Sequence, residues 1–340
     1  MNQRFLFFGA LAVWFLTVIT AGMAAGSEKP EIFVQLGHSG DVTALAVTPD
    51  GKYAVSGGAD TFLKLWDIAA GREIRTFKGH TERVLSLAIS PNGRTAASAC
   101  QSLAGDRDGN CILWDLETGR KIRSFASSTG AIRSVAFTPD GRHLVTGLTS
   151  QGSIWSEESP TGKSIRVWEI SSGREVRALG EWHGVDVLAV TPDGRYIVAN
   201  SLDGPGHTIK LWDISTGRQV RVFEGHARTI TAMAVSADGR RLVSASDDHT
   251  VRVWDLATGR ELRVFKKHGN YVKAAAISPD GEFVVSGGRD YMVRIWHAAT
   301  GRELFKPKEE RHWITAAAVI PGGKYALSGD SSGTINPAIK

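Results

Sequence analysis

At 340 residues and 42% hydrophobic content, the chain has material for one large domain or two ordinary ones. Its formal net charge of +5 is modest for that length and, with export expected from the N-terminus, excludes nucleic acid from the expected partners. Thirty-eight glycines against four methionines suit tight turns and β-sheet, not packed helices.

Residues 1–25 stand apart. Arg4 is their only charge, Phe5 to Ala25 carries none, and the apolar run ends in the small residues Ala21-Gly22-Met23-Ala24-Ala25-Gly26. This predicts a secretory signal peptide processed after Ala24, Ala25 or Gly26. The run also reaches the roughly 20 residues that span a bilayer, so a retained N-terminal membrane anchor is the alternative. Either way the second segment, residues 31–340, is expected outside the cytoplasm, periplasmic or secreted.

Beyond residue 30 one unit recurs, and its clearest copy runs from Gly225 to Asp255. Ile230–Val235 predicts a first strand, Ser236-Ala237-Asp238-Gly239 a tight turn, and Leu242–Ser246 a second strand. Asp247-Asp248-His249 reads as a short reversal before a third strand at Thr250–Trp254. A turn at Thr258-Gly259-Arg260 then leads to a fourth strand at Glu261–Phe265. Four short antiparallel strands cannot bury both faces of their own sheet, so copies must stack. The glycine of the first turn recurs at Gly51, Gly93, Gly141, Gly194, Gly239, Gly281 and Gly323, 42 to 53 residues apart. Seven such turns predict seven sheets, and that period with four strands per repeat predicts a propeller.

The third strand ends in Trp66-Asp67, Trp114-Asp115, Trp168-Glu169, Trp212-Asp213, Trp254-Asp255 and Trp296-His297, and Gly-His stands at Gly37-His38, Gly79-His80 and Gly225-His226. From Glu31 to the C-terminus the chain thus resembles the WD-repeat (WD40-type) β-propeller family, as an exported bacterial member. The fold expected is all-β: a seven-bladed propeller of four-stranded antiparallel blades. The last repeat holds only three strands, so Glu31–Leu36 at the N-terminus is expected to complete it and close the ring.

The resemblance further implies buried hydrogen-bonded tetrads of His, Ser, Asp and Trp: His38, Ser56, Asp60, Trp66; His80, Ser98, Asp108, Trp114; His226, Ser244, Asp248, Trp254; and His268, Ser286, Asp290, Trp296. On paper these contain a Ser-His-Asp triad. Fourfold recurrence favours structure over catalysis, because an enzyme needs one such site beside a substrate pocket.

Departures from the unit point to function. Repeat three has Ser127-Ser128 in place of Gly-His, repeat four has Ala199 in place of the hydroxyl residue, and repeat seven has Ala338 in place of Trp. Those blades are expected to be less tightly held. Insertions at Cys100–Gly109, Gly147–Lys163 and Asn200–His207 all fall between the second and third strands of consecutive blades. In an antiparallel blade that loop shares an end with the Gly-His loop, so a wall over one side of that face is expected, where binding usually resides. Trp155 and Trp182 are the candidate anchors of this wall, with Arg107, Glu157 and Glu158 beside them and Tyr271, Arg289 and Trp313 on the same face of blades six and seven.

Cys100 and Cys111 flank the first insertion and are expected to form a disulfide at its base. The opposite face carries Lys52, Arg94, Arg142, Arg195, Arg240 and Lys324 from the first turns and Arg72, Arg120, Arg174, Arg218, Arg260 and Arg302 from the second. Aspartates in the same turns predict a salt-bridged rim with little net field. The expected function is a non-catalytic scaffold, a monomeric propeller that binds a protein or peptide on the face of the long loops, with no cofactor and no metal. The alternatives are an envelope polymer or membrane surface held by the basic face, and a propeller hydrolase or lyase.

Overall fold

The computed structural model describes residues 37–100, 111–126, 131–149, 163–180, 184–202, 207–304, 308–322 and 325–339. Their strands form six four-stranded sheets and one three-stranded sheet, all antiparallel and built from consecutive segments, with no helix among the described residues. Blade five comprises Ile230–Val235, Arg241–Ser246, Val251–Asp255 and Glu261–Phe265, within one residue of the expected strands. Thr250 falls outside the third strand because its hydroxyl and N–H both donate to Asp248, at 2.6 and 2.9 Å.

The inner strands of the seven blades are Val42–Val47, Val84–Ile89, Ala131–Phe137, Leu188–Val190, Ile230–Val235, Val272–Ile277 and Ile314–Val319. Neighbouring inner strands are stitched by hydroxyls: Thr231 donates to the Val272 carbonyl at 2.6 Å, and Thr315 donates to the Val42 carbonyl at 2.5 Å. The second bond joins the last blade to the first. Apolar side chains between blades make a separate cluster at each junction. Val42, Ala54 and Trp66 of blade one pack with Ala316, Leu327 and Ile335 of blade seven, so the ring is closed by burial as well.

This sandwiching explains the burial pattern. Second strands such as Arg241–Ser246 are buried on successive residues, because both sheet faces are covered, whereas an outer fourth strand such as Arg72–Phe77 is exposed at its first three positions. Small residues mark the tightest approaches. A Cβ added to Gly79 would stand 2.8 Å from Trp114 of its own blade, so the glycine of the Gly-His pair makes room for the indole that the tetrad needs.

The Glu31–Leu36 strand lies outside the described residues, as do residues 1–30. The N–H groups of Gly37 and His38 both donate to the Gly333 carbonyl, at 3.3 and 3.2 Å, so the chain enters blade one against the last turn of blade seven. Blade six ends in a short fourth strand, Lys308–Glu309.

The expected disulfide is corrected by the strand register. Ala99, not Cys100, lies opposite Cys111, while Cys100 pairs with Val84 on the inner strand. Successive side chains alternate between sheet faces, so Cys100 and Cys111 project to opposite sides, and the structure joins them by no bond. Both are buried, and burial pushes the Cys111 thiol up, with Cys100 nearby adding to the shift. An alkylating reagent is therefore expected to spare both thiols in the native protein and to add two labels after denaturation without reductant, as read by intact mass. Labels that appear only after reduction would restore the disulfide.

Candidate binding face and the tetrads beneath it

Three complete tetrads are present among the described residues. In blade one, His38 Nδ1 lies 2.8 Å from Asp60, His38 Nε2 lies 2.7 Å from Ser56 Oγ, and Trp66 Nε1 donates to the same Oγ at 2.8 Å. Blade five repeats this with His226, Asp248, Ser244 and Trp254, and blade six with His268, Asp290, Ser286 and Trp296. The donor order follows from the indole, which only donates. The serine oxygen accepts from Trp and its O–H donates to His Nε2, so His Nδ1–H donates to the carboxylate. The aspartate also accepts the N–H of the residue after the histidine, from Ser39, Ala227 and Gly269. One carboxylate thereby pins the entering loop to the second-to-third-strand loop.

Blade two holds His80, Ser98 and Trp114 in the same geometry, at 2.6 and 2.8 Å, while Asp108 lies outside the described residues. Burial, joined by Lys121, pushes His80 down to about 4. Burial also lowers His38, against the opposing pull of Asp60. Burial alone would raise Asp60, Asp248 and Asp290, but hydrogen bonds from their histidines and backbone N–H groups outweigh it and hold all three below the usual carboxylate range.

The divergent blades have substitutes that the repeat comparison passed over. In blade three Thr146 accepts the Trp168 indole N–H at 2.9 Å. In blade four, where Ala199 replaces the hydroxyl residue, the next side chain, Asn200, accepts the N–H groups of Asp186 and Val187, both at 2.9 Å, and ties down the entering loop instead. In blade seven, Asp330 accepts the N–H groups of Ser332 and Thr334, at 2.8 and 3.1 Å.

Above the tetrads, entering loops and second-to-third-strand loops do share one end of each blade. Arg289 N–H donates to the Tyr271 carbonyl at 2.8 Å, and Ser331 N–H to the Trp313 carbonyl at 2.9 Å. At the centre of this face lies a depression of about 370 Å³ to which all seven blades contribute, from Asp41 and Arg83 through Asp186 to Lys273 and Thr315. Its charges are partly paired: Arg133 with Asp186 at 3.0 Å, Lys273 with Asp247 at 2.6 Å, and Arg83 with Asp41 at 4.0 Å.

Of the expected anchors, the structure brings Tyr271, Arg289 and Trp313 together. The Arg289 guanidinium stands 4.8 Å from the Trp313 ring centre and 5.5 Å from that of Tyr271, with Trp313 40% exposed at the rim of the depression. Trp155, Trp182, Arg107, Glu157 and Glu158 lie outside the described residues, as does most of each insertion. Arg228, Lys273, Asp247, Arg133 and Asp186 were missed by the sequence reading. Arg133 and Lys273 occupy the position of Thr43, Thr231 and Thr315 in their own repeats, and that substitution was the available signal.

On the opposite face the expected salt-bridged rim is present in part: Lys52 stands 4.0 Å from Asp50 of its own turn, while the turn aspartates also hold other partners. Asp50, Asp140, Asp193, Asp238 and Asp280 each accept a Thr or Ser hydroxyl two residues back, at 2.5–2.6 Å, and the N–H two residues on. They brace their own turns, which suits the left-handed glycines that follow them. Arg195 pairs instead with Asp213 of the second turn, at 3.2 Å.

The model of the WD domain, G-beta repeat, matches residues 30–67, 71–115, 119–169, 217–255 and 259–297, more than half of the chain. The chain belongs to this WD-repeat family. Each match joins the fourth strand of one blade to three strands of the next, and the first begins where the expected closing strand lies. Ribosome biogenesis protein BOP1 homologs of Drosophila melanogaster, Drosophila willistoni and Drosophila erecta are each 46% identical to this chain over 48 residues, 14% of this chain and 6% of theirs. The likeness thus concerns about one repeat, and the chain covers a small fraction of those relatives.

Proposed function

We propose that this propeller is a non-catalytic scaffold that binds a protein or peptide across the face carrying the Gly-His loops. The observation that carries this reading is the Trp313–Arg289–Tyr271 stack at the rim of the central depression. It is a large aromatic and cationic surface, already ordered, where binding hot spots are richest in Trp, Tyr and Arg. Seven rigid blades hold the loops in place, so little ordering cost is left for the partner to offset. The insertions of blades two to four, with Trp155 and Trp182, extend the surface in this reading. We further propose that the scaffold works outside the cytoplasm, supported by the uncharged run Phe5 to Ala25.

Purification from native cells after crosslinking tests both. Trp313→Ala with Arg289→Ala is expected to lose attached partners by about tenfold, a loss on the hot-spot scale. Arg240→Gln with Arg260→Gln on the other face is expected to lose none. The reverse pattern would move the site to the basic face. The intact mass of the same preparation reports whether the first 24 to 26 residues have been removed.

A further inference from the structure

Three cations surround one aromatic ring on the binding face. Lys273 Nζ lies 5.3 Å from the centre of the Tyr271 ring, the Arg289 guanidinium 5.5 Å, and the Arg228 guanidinium 5.9 Å. His249 packs on the same ring at 5.5 Å. Among the described residues one carboxylate pairs with this cluster, Asp247, and it is taken by Lys273 at 2.6 Å. Arg228 and Arg289 pair with no carboxylate among the described residues. Among the described residues the polar side-chain partner of Arg228 is the Tyr271 hydroxyl, at 3.4 Å.

Like charges gathered around one ring repel, and the ring quadrupole offsets that repulsion only in part. The cluster therefore stands ready for an anion. Stacking also fixes how an arginine presents itself. A guanidinium held over a ring has its planar edge of N–H donors free, and that edge matches the two oxygens of a carboxylate. Beside it, Trp313 and Tyr291 are each about two-fifths exposed and offer apolar surface.

We propose that Arg228 and Arg289, with Trp313 beside them, recognise an acidic peptide segment of a partner protein, one that carries an apolar residue between its carboxylates. The proposal rests on the reading of this face as the binding surface and names the chemistry of what binds there.

Fluorescence anisotropy of the full chain with a labelled EELEE peptide, against neutral QQLQQ, tests it. EELEE is expected to bind, QQLQQ about tenfold or more weakly, and affinity for EELEE to fall as salt rises. Arg228→Gln, Arg289→Gln and Trp313→Ala are each expected to weaken EELEE about tenfold with melting temperature unchanged, and Arg240→Gln with Arg260→Gln to leave it unaltered. Equal binding of QQLQQ, or of EELEE by the Arg228→Gln, Arg289→Gln double variant, would overturn the proposal. So would a single-stranded oligonucleotide that binds more tightly than EELEE through the same two arginines. If EELEE fails while Trp313→Ala still strips crosslinked partners, the acidic assignment falls and the binding face stands. If no variant of this face strips them, the face itself falls.

Discussion

Trp254→Ala is expected to destabilise the protein by about 3–5 kcal/mol, the usual range for removing a buried tryptophan. The indole is 1% exposed, lies against Phe223 of the preceding blade at 5.9 Å in an edge-on arrangement, and donates to Ser244. Its loss opens a cavity at the junction of blades four and five and removes the donor that orients the tetrad. Ser244→Ala separates the two effects. It removes almost no volume but leaves the Trp254 N–H and His226 Nε2 without their shared partner, at an expected cost of about 2 kcal/mol. Thr146→Ala in blade three, which orphans only the Trp168 N–H, is expected to cost about half as much. Urea unfolding of the three variants reads these values, and a cost for Ser244→Ala no larger than for Thr146→Ala would contradict the tetrad account. The series also bears on the triad resemblance. Ser244 is 0% exposed and its oxygen already accepts the indole N–H, so no substrate reaches it while the blade is closed.

Acidification is expected to weaken the fold in two stages. Folded His80 is held near 4 while an unfolded histidine titrates near 6.5, so between these values the unfolded chain binds more protons. Stability is full above pH 6.5 and falls as the pH drops towards 4, by up to about 3 kcal/mol from this residue. His38 shifts in the same direction and adds to the loss. Asp60, Asp248 and Asp290 act in the next window. Their folded values lie below 3.8, so their contribution is present above that value and disappears as pH falls through the depressed ones. Urea midpoints between pH 8 and 3, at constant denaturant slope, measure both stages. A flat profile from pH 7 to 4.5 would refute the first.

The repeat was legible because its residues are periodic. Gly51 and its six copies carry turn chemistry, and the Trp residues recur because blades one to six each bury an indole against the blade before, as with Phe77 on Trp114. Interaction pairs across strands were less legible. Cys100 and Cys111 looked opposed from loop spacing, but a one-residue register difference places them on opposite faces, and register is decided by the pairing of whole strands. The turn aspartates of the basic face looked like salt-bridge partners, and Lys52 does stand 4.0 Å from Asp50, but the closer bonds to hydroxyls two residues away hold these carboxylates within their own turns.

The sequence by itself determined an all-β ring of seven sheets and the residues of the three complete tetrads in blades one, five and six, because both are set by local turn chemistry and a repeating period. Tertiary structure alone decided that Arg228, Lys273 and Arg289 meet around Tyr271, with Trp313 beside them. Those residues come from three blades and are up to 85 positions apart. Packing of blade five on blade six and of blade six on blade seven, with the bond from Thr231 to Val272, brings their loops to one rim.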